Sequence, residues 1–296
     1  MSRNVKSKNA GKFTTFAETK QGFTLVELLT VISIIVIIST LALLAIPSLK
    51  GSRDLTRSAT IIAGVLEQAR SYAMANNTYA WVGFFEEDGS RSSTKPATVG
   101  NGGRLVIYVV ASQDGTRYSD GTISTAAPAA FGAGDATNTV NLTPINPLVK
   151  LDNVRLVATN SGTAASNTPV RPAVAAAYQM GEAPGQPPNN ATGSFALHSG
   201  CTASNPTAFT YPLKTATSGT PQYTFSKIIE FNPQGEASKI VENVFSGPGP
   251  QDELEIALQP THGSAIDPHY TGATQSVAAA AIQLEGLSGQ VRVFRP

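Results

Sequence analysis

Glu27 is the residue whose setting most invites a chemical reading. It is the one charged side chain in FTLVELLTVISIIVIISTLALLAI, residues 23–46, a run otherwise made of apolar and small hydroxyl residues. An ionisable group inside such a run costs about 2.5–3.5 kcal/mol on insertion scales near a bilayer centre and less near an end, so it implies a role and a partner of opposite charge. The remaining chemistry-bearing types are sparse. His198 and Cys201 have H-x-x-C spacing, but no second ligand pair follows, and the zinc pattern is incomplete. Asp114 and Asp120-Gly121 lack the alternating acids and closing Glu of a calcium-binding EF-hand, and Gln251-Asp252-Glu253 reads as a solvated turn. Gly132-Ala133-Gly134 has no strand-to-helix context for a phosphate loop. His262 and His269 complete the histidines, and no nucleophile-elbow pattern is present. No catalytic, cofactor-binding or metal-ligating set is therefore assigned, and no enzyme activity is expected.

The elements that position Glu27 follow from the pattern around it. Residues 1–22 carry Arg3, Lys6, Lys8, Lys12 and Lys20 against Glu18 alone. Positive charge before an apolar run keeps that side in the cytoplasm and sends the remainder across. About 20 helical residues span a hydrocarbon core, so 23–46 is long enough to be a transmembrane helix. A cleavable secretory signal would have a shorter apolar core and a small-residue cleavage site, for which Thr40-Leu41-Ala42 is a poor match. A plain signal anchor fits the length and leaves Glu27 unexplained.

Beyond Pro47, Leu55, Ala59, Ile62, Leu66, Ala69 and Ala73 alternate spacings of four and three, one apolar face of an amphipathic helix over 47–77 that stops at Asn76-Asn77. After Thr78 the pattern becomes that of strands: Tyr79–Phe85, Arg104–Ala111, one or two about Asp152-Asn153 within Leu148–Thr159, Lys227–Asn232, Ala237–Val244, Glu253–Gln259, Ala280–Leu284 and Gln290–Phe294. Turns are expected at Pro233-Gln234-Gly235 and Gly286–Gly289. Residues 112–145 and 160–222, rich in Gly, Ala, Thr, Ser, Asn and Pro, read as loops within a 78–296 globular domain. The fold class expected is α+β: a long N-terminal helix, its first half in lipid, packed on antiparallel strands. A formal net charge of +1 gives no reason to expect nucleic acid as a partner. One cysteine excludes an internal disulfide.

Gly22-Phe23-Thr24-Leu25-Val26-Glu27 resembles the processing signature of type IV pilins and type II secretion pseudopilins. The resemblance implies cleavage after Gly22 by a prepilin peptidase, N-methylation of Phe23 as the new terminus, and Glu27 as an assembly contact with a neighbouring subunit's amine. It implies a single-pass protein of the bacterial inner membrane with an extracytoplasmic head. The implied partners are other pilin or pseudopilin subunits, an inner-membrane assembly platform and membrane lipid. A proline common near the twenty-second mature position of relatives is displaced here to Pro47. Three further stretches, Gln68–Ala73, Ile228–Gly235 and Ala281–Val293, resemble the helix, a strand-turn and the closing hairpin of GspH/FimT-type minor pseudopilins. Two alternatives stay open at this point. One is a type IV pilus minor subunit for adhesion or DNA uptake; the other is a membrane-anchored extracytoplasmic enzyme or binding domain.

Overall fold

In the computed structural model, the described residues are 24–117, 142–158, 171–175, 178–182, 186–188, 190, 209–213, 221–239, 253–266 and 280–295, with the side chains of 41–52 outside that description. The chain divides into two compact units, Met1–Pro47 and Ser48–Pro296. Helical backbone, α1, runs through Leu25–Ala75.

In the first unit, large apolar side chains from Leu25 to Ile38 are 47–79% exposed. Nothing within their own unit covers them, as expected of a segment that meets lipid or other helices. Three hydroxyls in the run are turned back on the helix: Thr30 donates to the Glu27 carbonyl at 2.9 Å, Ser33 to Leu29 at 2.8 Å and Thr40 to Ile37 at 2.8 Å. These three are satisfied without water. Among the described residues no helix is long and apolar enough to cross a membrane; the stretch 41–46 of the expected span falls where side chains are not described.

The second unit is built on the expected stripe. Leu55, Ala59, Ile62, Leu66, Ala69 and Ala73 are all buried. Burying a Leu or Ile contributes about 1.5–3 kcal/mol each. The helix stops as anticipated, and the mechanism is visible. Asn77 is left-handed at φ 48°, the Thr78 N–H bonds the Ala73 carbonyl at 3.0 Å and the Asn77 N–H that of Met74 at 3.4 Å. These are the two bonds of a Schellman cap.

Two sheets pack with this helix. Strands β1 (Ala80–Asp88), β2 (Gly103–Ser112), β3 (Leu142–Pro144), β4 (Val149–Asp152), β5 (Val154–Leu156), β6 (Gln179–Met180), β7 (Phe209–Tyr211), β8 (Tyr223–Phe225), β9 (Lys227–Phe231), β10 (Ala237–Lys239), β11 (Glu253–His262), β12 (Ala265–Ile266), β13 (Ala280–Glu285) and β14 (Val291–Phe294) follow in chain order. The first sheet is ordered β10-β9-β1-β2-β3, with β4 also on β2; the second is β12-β11-β13-β14, with β5 and β6 on β11. Pairing is antiparallel except β6 with β11 and the Val157–Glu182 bridge. The chain crosses between sheets at Asn153, left-handed at φ 62°, whose side-chain amide donates to Asp54 on the helix at 2.9 Å. Ala80, Val82 and Phe84 join the helix and the second sheet in one core.

The opposite face of the first sheet is also buried, which the sequence reading did not anticipate. Trp81, Phe85, Val106, Tyr108 and Val110 are covered by Phe209, Tyr223 and Phe225 of the β7-β8 hairpin. The region 160–222 is thus not loop throughout: it supplies β6 and β7, and 112–145 supplies β3. β1 also continues beyond Phe85, the expected end of the strand, through Glu86, Glu87 and Asp88.

Candidate functional site: the first helical turn and the end of the head

Thr24 and Glu27 form a closed pair at the start of α1. The Thr24 hydroxyl and N–H donate to Glu27 Oε2 at 3.1 and 3.2 Å, while the Glu27 N–H donates to Thr24 Oγ1 at 3.2 Å. This is a capping box, T-x-x-E, in which two otherwise orphaned backbone donors of the first turn are satisfied reciprocally. It also sets the carboxylate at the positive end of the helix dipole. All of these bonds fall on Oε2, so Oε1 takes no bond among the described residues. Thr24 is the functional residue the sequence reading passed over, although its spacing from Glu27 is the capping signature itself. Gly22 and Phe23 lie outside the described residues.

Within the second unit, the three stretches singled out in the head come together on Arg70. A β-carbon placed on Gly235 would lie 2.6 Å from Met74 Sδ and 3.3 Å from Arg70 Nε. One on Gly289 would collide with the Gly235 carbonyl and come within 2.9 Å of Arg70 Cδ. Both glycines are left-handed, at φ 83° and 63°, so space and backbone conformation demand glycine together. The Ala237 N–H donates to the Gly286 carbonyl at 2.7 Å and joins the two turns.

Among the described residues of the head four carboxylates are buried, each with partners. Glu86 pairs with Lys227 at 3.1 Å, both side chains fully buried, and also accepts the Leu156 N–H at 2.8 Å. Glu87 takes Arg104, Lys150, Ser93 and the Tyr223 hydroxyl. Glu230 takes Trp81 Nε1 at 2.8 Å and Arg117 at 2.7 Å, and Glu255 is gripped by Arg171 through both oxygens at 2.6 and 2.8 Å. Burial opposes the charge of Arg104, but the bonds it donates to Asp152 and Glu87 outweigh it and hold the guanidinium above its ordinary range. Burial lowers Arg155, partly offset by Glu86 and Glu182. The Glu86, Glu87 and Glu230 pairs join neighbouring strands of the first sheet, and Glu86 also reaches β5 of the second through the Leu156 N–H.

The other sequence candidates separate. Asp114 caps a local turn through Ser112 and the Thr116 N–H, and His262 ends β11. Among the described residues no group of three His, Cys, Asp or Glu could hold a metal. His198, Cys201, His269, Asp120-Gly121, Gly132–Gly134, Gln251 and Asp252 lie outside the description.

A capped, charged first turn thus stands ahead of an exposed apolar helix. A family model described as the prokaryotic N-terminal methylation motif matches residues 19–43. Neither curated proteins nor solved structures give a significant match. The motif implies a membrane-anchored, pilin-like protein that is processed by a prepilin peptidase and assembles with other pilin subunits.

Proposed function

We propose that this chain is a structural subunit of a type II secretion pseudopilus or a related type IV filament, cleaved after Gly22 and methylated on Phe23. The observation that carries the reading is the methylation-motif match over 19–43, with Glu27 poised in the first turn. After cleavage, the new amine sits one residue before Thr24. Oε2 of Glu27 stays with its own cap and Oε1 meets the cationic amine of a neighbour. In a low-dielectric surround the two charges compensate each other, and each alone is costly. The helix anchors the subunit in the inner membrane with the head outside until lateral helix packing draws it into the filament from the assembly platform. The meeting of Gln68–Ala73, Asn232–Gly235 and Gly286–Gly289 on Arg70 supports the GspH/FimT-type minor pseudopilin subgroup, and the role is assembly rather than catalysis.

Co-expression with a prepilin peptidase followed by intact-mass measurement tests this. Loss of residues 1–22 and one added methyl are expected; a mature chain starting anywhere other than Phe23 refutes it. Glu27→Val is expected to insert and be processed yet fail to enter filaments.

A further inference from the structure

Three arginines of the second unit stand in one row. Arg53, Arg57 and Thr60 follow at spacings of four and three, so they share one face of α1. Arg53 and Arg57 are exposed. Arg295, just past β14, is exposed as well, and its guanidinium donates to Thr60 Oγ1 at 3.2 Å. It adds a third cation to a row about 10 Å long at 1.5 Å per helical residue. None of the three makes an ion pair among the described residues. The exposed arginines Arg91 and Arg292, by contrast, pair with Asp88 at 3.4 Å and Glu285 at 3.6 Å. Two carboxylates line a groove beside Arg57, and both are engaged: Asp54 by the Asn153 amide at 2.9 Å, Asp152 by Arg104 at 2.5 Å.

The place of these cations in the chain runs against insertion. Lys and Arg within about 15–20 residues of a membrane-crossing run favour the cytoplasmic side. Cleavage after Gly22 removes the basic leader. The cations then left in sequence beside the 23–46 run are Lys50, Arg53 and Arg57, all beyond it, with Asp54 the one acid up to Leu66. With the head outside, they sit on the side that the charge rule disfavours, which implies an anionic partner there. Seven residues separate Ile46 from Arg53, about 10 Å of helical backbone. The headgroup layer reaches about 5–7 Å beyond the hydrocarbon, and an arginine side chain spans the difference by snorkelling.

We infer that this row binds the phosphate of an anionic phospholipid headgroup, with Arg53 and Arg57 at the phosphate and Arg295 adding to their field. Guanidinia one helical turn apart offer several N–H donors to one phosphate. Lipid is also the anion that lies beside this stretch from the moment of insertion, before any other subunit arrives. The contact ties the start of the second unit to the bilayer surface while the subunit awaits assembly. This inference rests on the anchored, head-outside reading and adds a lipid site to it.

The test uses the full chain, cut by prepilin peptidase and held in a neutral detergent, with Cys201→Ser and Gly64→Cys. A β-carbon at Gly64 meets no atom within 4 Å, so a fluorophore there, one turn past Thr60, displaces nothing. Phosphatidylglycerol titrated into the micelles should give a saturable change at a concentration about tenfold or more below that for phosphatidylcholine. Arg53→Gln and Arg57→Gln should each weaken binding about three- to fivefold, and the pair together should bring it to the phosphatidylcholine level. Arg57→Lys, which keeps the charge, should stay within about twofold of the parent. Arg292→Gln should change nothing. Unaltered Trp81 emission in each variant shows that the head remains folded. Equal response to the two lipids, or arginine variants that bind as the parent does, overturns the site. Inorganic phosphate or duplex DNA that saturates the signal at lower concentration than phosphatidylglycerol overturns lipid as the partner. A chain not cut after Gly22 overturns the filament reading instead.

Discussion

Replacing Gly83 with Ala tests whether the β7-β8 hairpin is part of the core. On β1, Gly83 faces the hairpin, and an added β-carbon would stand 2.5 Å from Phe209 Cζ and 2.7 Å from Phe225 Cβ. No real β-carbon sits that close, so one ring must move. Neither has room: both are fully buried, their centroids are 5.2 Å apart, and Tyr108 and Tyr223 flank them. Overpacking of this kind costs about 1–3 kcal/mol. Gly→Ala gains about 0.4–1 kcal/mol from the unfolded chain. The net expectation is a loss of about 0.5–2 kcal/mol. Phe209→Ala alone should cost about 3–5 kcal/mol through the cavity it leaves. In the double variant the methyl occupies part of that cavity, so the combined loss should fall short of the sum by about 1 kcal/mol or more. Urea titration of the detergent-solubilised chain can follow the single tryptophan, Trp81, which is fully buried in the same cluster. Losses that add within about 0.5 kcal/mol would show that Gly83 and Phe209 do not touch, and the second buried face would be wrong.

Three other perturbations probe the buried charges and the caps. Lys227→Met should destabilise by about 3–5 kcal/mol by stranding Glu86, whereas Lys227→Met with Glu86→Leu should recover most of it, read by the same titration. The Ser90 hydroxyl and N–H hold Asp88 below the ordinary carboxylate value, so this carboxylate contributes stability above its unfolded pKa and loses it as pH falls through the depressed folded value. Ser90→Ala should move the Asp88 titration upward, observed by NMR, and flatten that acid limb of the stability curve. Asn77→Ala should cost about 1 kcal/mol in thermal unfolding because alanine lacks the short polar side chain that makes the left-handed region tolerable for asparagine, and Asn77→Gly, which removes the β-carbon, should be neutral or stabilising.

What could be read in advance, and what could not, divides along one physical line. The helix stripe and the strands from Arg104–Ala111 to Gln290–Phe294 announce themselves because each carries its period over several residues. The turn at Pro233–Gly235 carries its own chemistry in the same local way. The hairpin does not. β7 and β8 are three residues each, Phe209-Thr210-Tyr211 and Tyr223-Thr224-Phe225, and their alternating aromatics are drowned by the Thr, Pro and Gly around them. Glu86 and Glu87 misled for the opposite reason. Two acids after YAWVGFF look like the end of a strand, and only Lys227, Arg104 and Lys150, brought from distant elements, make their burial tolerable. In the first turn, Glu27 stood out as a charge among apolar residues, which directs attention to a partner in another molecule. Its local partner, Thr24, was equally visible three residues earlier. The two are complementary. The cap fixes one carboxylate oxygen over the first turn, so the other is presented in a defined direction, and less side-chain entropy remains to be lost when a neighbour's amine arrives. Thr24→Ser, which keeps the hydroxyl, should therefore assemble as the parent does. Thr24→Val, which keeps the shape without it, should be processed normally and enter filaments poorly; equal incorporation of the two variants, scored on isolated filaments, would show that the cap does not position Glu27.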